Sequence, residues 1–99
     1  MIDLSKVEGS ATAAFVKVLP EIENLKNNTD LSESDKIDEA ELIIIQELCK
    51  ARNSNIGGIS QKYIVEVRKN LTRLKRVEDI IRYLNNAINK GKNYEEKGN

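Results

Sequence analysis

Residues 61–90 read QKYIVEVRKNLTRLKRVEDIIRYLNNAINK, and the way this stretch divides decides the fold. It holds neither glycine nor proline, so nothing local forbids a single helix of on the order of 45 Å at about 1.5 Å per residue. The apolar spacing argues against one. Ile64, Val67, Leu71 and Leu74 share a face, and so do Val77, Ile81, Leu84 and Ile88, but the second set is rotated by about 100° from the first on a uniform helical period. Lys75 and Arg76 stand at the slip with Glu78 and Asp79 just after it. Cations suit the last turn of a helix and anions the first, so the slip reads as one helix ending and another beginning. Two helices near 60–75 and 77–90 are expected, with one fused helix as the alternative. Ser60 is the natural cap of the first and Gly91 the natural end of the second.

Working back from Ser60, Asn53-Ser54-Asn55-Ile56-Gly57-Gly58 is the clearest break in the chain, a hinge or a loop. Before it, Ile37, Ala40, Ile44, Leu48 and Ala51 recur at helical spacing, and either Ser32 with Asp35 or Ser34 alone can cap a helix over 33–52. Leu42, Ile43 and Ile45 widen its apolar stripe to most of the circumference, as in a helix that is central in a bundle or that meets a partner with its second face. The run Ile43-Ile44-Ile45 would also suit a short buried strand, but the flanking caps and spacing favour helix.

Further back, Phe15, Val18, Ile22 and Leu25 mark a helix over 11–28 capped by Ser10. Pro20 inside it predicts a kink or a fresh start. Asn27-Asn28-Thr29-Asp30 ends that helix with turn-forming residues. The fold class expected is therefore all-α, a small antiparallel bundle of four helices. Residues 1–9 are expected as a flexible arm, 10–91 as one domain and 92–99 as a solvated, disordered tail.

The 99 residues include no His, no Trp and one Cys. No side chain titrates near neutrality by default and no His/Cys metal cluster can be assembled, so neither a metal nor another cofactor is expected. Cys49 lies in an apolar run and reads as a buried, inert thiol. The acidic pairs Asp35/Asp38/Glu39 and Glu78/Asp79 fall in first turns, where the helix dipole already accounts for them. Asn55-Ile56-Gly57-Gly58 lacks the lysine and hydroxyl of a phosphate-binding loop. The chain is not expected to be an enzyme or to take a small-molecule substrate. The longest apolar run is far short of the roughly 20 residues that span a bilayer, and the start lacks the pattern of a signal peptide. A cytoplasmic protein is expected.

Net charge is zero, from sixteen residues of each sign, but the two halves differ. Met1 to Cys49 carry four basic residues against eleven acidic, a net of −7, and Lys50 to Lys92 carry eleven against three, a net of +8. Such asymmetry bears on partners. Lys62, Lys69, Arg73 and Arg76 fall opposite the apolar face of the third helix, while Arg68, Lys75 and Arg82 recur every seven residues. Together they make a positive contact surface, with Leu42, Ile43 and Ile45 as an apolar contact. A protein partner, self-association included, is the first expectation. A nucleic-acid accessory role is the second, with phosphates on the cations and Tyr63 or Tyr83 stacking on a base. A membrane surface is disfavoured, because the basic helices lack Trp and Phe at their apolar edges.

The stretch Lys50-Ala51-Arg52-Asn53-Ser54-Asn55-Ile56-Gly57-Gly58-Ile59-Ser60, with the charged helix after it, resembles the tail of mobilisation accessory proteins of conjugative plasmids. The strand-containing DNA-binding segment of those proteins has no counterpart here. Chain length and four-helix pattern resemble bacteriocin immunity proteins at the level of architecture, without a shared motif. The many Asn, Lys and Ile residues suggest an AT-rich genome, bacterial or carried by a phage or plasmid. Neither resemblance names a family for the chain.

Overall fold

A computed structural model describes residues 11–54 and 58–97, the last of these, 92–97, by backbone alone. It contains α1 (Ala11–Lys26), α2 (Glu33–Asn53), α3 (Gln61–Thr72) and α4 (Val77–Lys97), and among the described residues no strand. The fold is the small all-α bundle that the spacing predicts. Ile43-Ile44-Ile45 is helix, and 61–90 divides at 73–76, where the apolar phase slips. The arm 1–9, the cap Ser10 and the loop residues 55–57 lie outside the described residues.

Local chemistry starts and stops each helix. The Ser32 hydroxyl accepts from the Asp35 amide at 3.1 Å and the Ser60 hydroxyl from the Tyr63 amide at 3.0 Å, so α2 and α3 begin at N-caps of the ordinary kind. After α1, Asn28 Oδ1 accepts from the Asp30 amide at 2.8 Å, and Lys36 Nζ reaches back to donate to the Lys26 carbonyl at 2.9 Å. Gly58, just before α3, has φ of +65°, where a side chain would be strained. The start of α4 has no serine, threonine or aspartate before it. Glu33 supplies the missing acceptor: its Oε1 takes the Val77 amide at 3.1 Å. A carboxylate in the first turn of α2 thus also serves the positive end of α4, a tertiary cap that no local pattern announces.

Two expectations about helix ends are corrected. α1 continues through Pro20 as one helix, so of the kink and the fresh start expected there it is the fresh start that is corrected. Pro20 and Val16 are both exposed, so the carbonyl that loses its donor lies on the solvated side, where water can satisfy it. Gly91 does not close α4, which continues to Lys97, so the expected tail 92–99 is helical as far as that residue. Gly91 is there for proximity. A Cβ built on it would collide with Thr12 Oγ1 and lie 3.2 Å from Thr12 Cβ and 3.3 Å from Thr12 Cγ2. The first turn of α1 leans directly on the α4 backbone.

The core joins Phe15, Val18 and Ile22 of α1, Ala40, Ile44 and Leu48 of α2, Ile64, Val67 and Leu71 of α3, and Val77, Ile80, Leu84 and Ile88 of α4. α1 packs on both α2 and α4, α3 packs on α2, and α2 also meets α4. Tyr83 adds the polar link. Its ring sits edge-on to Phe15, centroids 6.5 Å apart at 68°, and its hydroxyl is hydrogen-bonded by Asn70, the one buried polar residue of the described chain.

Burial raises the Tyr83 phenol above the ordinary tyrosine range; the Asn70 bond pulls it down and the charge of Glu66 pushes it further up. Between about pH 10 and the raised folded-state value, the unfolded chain releases this proton and the folded chain keeps it, so stability falls as pH rises there. Tyr83→Phe removes this component. At pH 8 the variant is expected to lose about 1 kcal/mol with the hydrogen bond, and urea midpoints from pH 8 to about pH 11 should then fall less steeply for it than for wild type. Parallel slopes would refute the assignment.

Candidate interaction surface

The outward faces of α2 and α3 carry most of the residues that sequence reading selected, and one ion pair sets their relative level. Arg68 Nε lies 3.6 Å from Glu41 Oε1, linking the two antiparallel helices. Residues before Glu41 are therefore level with those after Arg68. On α2, Asp35, Asp38, Leu42, Ile45 and Cys49 follow one another at helical spacing along the side turned away from Ala40, Ile44 and Leu48. On α3 and its C-cap, Lys62, Val65, Lys69 and Arg73 do the same opposite Ile64, Val67 and Leu71. An acidic stripe, Asp35 and Asp38, thus runs level with a basic one, Lys69 and Arg73. Leu42 and Val65, 51% and 43% exposed, continue these two lines one turn beyond Asp38 and Lys69.

The apolar contact is rearranged relative to expectation. Ile43 and Ile45 are half-buried and packed against the bundle's own core, so only Leu42 of the three is exposed. Val65 is an apolar surface residue that sequence reading passed over, although its position opposite Ile64, Val67 and Leu71 places it there. Cys49 is free and half-buried rather than enclosed.

The seven cations do not form one continuous surface. The seven-residue row Arg68, Lys75, Arg82 assumes a single helix, and the break at 73–76 separates its members. Arg82 pairs with Asp79 at 3.2 Å and Arg76 with Glu78 at 3.6 Å, so both are answered on or beside α4. Lys62, Lys69, Arg73 and Lys75 are exposed and make no ion pair among the described residues. The basic surface is thereby confined to α3 and the turn after it. Across the bundle, Lys17 of α1 pairs with Glu47 of α2 at 2.9 Å, and this bond, with the charge of Glu47, raises the lysine's pKa.

No family model, curated protein or solved structure matches the chain. Chemistry on this surface is therefore read from its residues alone. Tyr83, one of two aromatics expected to stack on a base, is 6% exposed and committed to Phe15 and Asn70, which removes it from any outward role. Tyr63 is half-buried against the core. Among the described residues no group of three carboxylates or thiolates could hold a metal ion, and no helix is long and apolar enough to cross a membrane.

Proposed function

We propose that this protein is a non-catalytic binding or regulatory module that captures a protein partner through the outward faces of α2 and α3. The reading rests on one observation: acidic and basic stripes run side by side there, and exposed Leu42 and Val65 continue the same two lines one turn further along. A polyanion gains little from such a surface, because Asp35 and Asp38 beside the cations cancel their field at short range. A folded partner gains from both signs, since charge complementarity steers and orients docking while the apolar pair supplies the desolvated anchor. The nucleic-acid reading keeps the unpaired Lys62, Lys69, Arg73 and Lys75 in its favour and has lost the stacking tyrosine Tyr83.

Anisotropy of labelled duplex and single-stranded DNA separates the two readings. No binding is expected even at low salt, whereas binding that weakens steeply with salt would transfer the function to nucleic acid. On the protein side, Leu42→Asp with Val65→Asp should abolish retention of whatever partner the wild-type chain retains while leaving helix content unchanged. Undiminished retention would remove this surface from the function.

A further inference from the structure

We infer that the partner seated on this face is a second copy of the chain, forming a two-fold dimer in which α2 of each copy lies against α3 of the other. This deepens the protein-binding reading above and rests on it. The argument is one of level and sign. A two-fold axis lying in the interface and parallel to the helices exchanges left for right and leaves height along the helix unchanged. It therefore sets α2 antiparallel to the other copy's α3 at the same level that the Glu41–Arg68 pair fixes within one copy. Asp35 and Asp38 then meet the other copy's Lys69 and Arg73, twice over, because a two-fold interface uses each contact twice.

The apolar pair fits as well. Leu42 adjoins Glu41 and Val65 stands three residues before Arg68, and both are exposed, so each comes near the other copy's Val65 and Leu42. Glu66, the one acid of α3, follows Lys62 by four residues and precedes Lys69 by three, so it sets a single acid among the cations of the stripe. The other exposed large apolar residue, Val16, belongs to α1 and not to these two helices. The chain's zero net charge follows the same logic. A copy carrying both stripes repels itself nowhere, as a surface of one sign would.

Sedimentation velocity of the full chain over about 1–500 µM, a range suited to an interface at the small end of stable ones, should show a dimer that weakens as salt rises. Asp35→Lys with Asp38→Lys, and separately Lys69→Glu with Arg73→Glu, should each give a monomer, the dissociation constant rising by about 100-fold or more as like charges face each other. The decisive arm mixes the two variants. One has basic residues on both stripes and the other acidic residues on both, so an equimolar mixture should form a heterodimer while neither variant pairs with itself. Recovery in the mixture also shows that both variants are folded. A monomeric wild type at every concentration, or variants that dimerise as wild type does, would overturn the dimer. The first of these leaves the protein-binding reading standing, since that is judged by the Leu42 and Val65 variant, so the two failures are distinguishable.

Discussion

Phe15→Ala should remove most of the stability of this domain, while Val16→Ala, one residue along the same helix, should leave it almost unchanged. Phe15 is fully buried and Val16 is 47% exposed. Truncating a buried phenylalanine costs about 3–5 kcal/mol, from lost transfer energy and from the cavity left behind. A domain of this length has about 5–15 kcal/mol in total, so the variant sits close to the edge of folding. The site cannot readily collapse, because Phe15 is the only phenylalanine in the chain and its ring fills the junction of α1 with Tyr83 of α4. The edge-to-face pair adds about 0.5–1.5 kcal/mol to what area alone gives. Urea unfolding followed by circular dichroism checks the contrast. A loss for Phe15→Ala within about 1 kcal/mol of that for Val16→Ala would mean that α1 is not docked as described.

The contrast also shows what the sequence discloses. Helix positions were legible because period and caps agree: Ser32 and Ser60 cap as their spacing predicts, and the slip between Leu74 and Val77 falls where α3 gives way to α4. Features set by the approach of distant elements were not. Glu33 capping Val77 joins residues 44 apart, and nothing in the stretch around either residue encodes it beyond the absence of a local cap before Val77. Gly91 looked like a terminator because glycine usually follows a helix; its reason is Thr12, at the other end of the domain. The surface was half legible. Charge asymmetry pointed to α2 and α3, but a seven-residue row drawn through 68–82 needs one helix, and two helices scatter it. Tyr83 reads like any amphipathic aromatic in sequence, and only packing against Phe15 and Asn70 turns it inward.

Gly91→Ala puts the interior glycine to a test whose sign differs between the two readings. Were Gly91 a mere interruption of α4, alanine would stabilise the helix by about 1 kcal/mol, the ordinary difference in helix propensity. The packing predicts the reverse. The added Cβ meets Thr12 through its Cβ and Cγ2 at 3.2 and 3.3 Å as well as through the closer Oγ1, so rotating χ1 exchanges one clash for another. A β-branched side chain in a helix has little rotamer freedom to spare. Relief requires α1 to move off α4, and overpacking of this kind costs about 1–3 kcal/mol. The expected balance is a net loss of about 1–2 kcal/mol, a fall in Tm of about 4–8 °C for each kcal/mol in a domain of this size. Thr12→Ala removes Oγ1 and Cγ2 at small cost at a half-buried position and leaves only the Cβ contact at 3.2 Å, which a shift of a few tenths of an ångström relieves. In the Thr12→Ala background, Gly91→Ala should therefore become neutral or stabilising, because the propensity gain is no longer opposed. A Tm that rises with Gly91→Ala alone would show that α1 does not lean on α4 at this point, and the docking that buries Ala11 and Ala14 against the end of that helix would have to be redrawn.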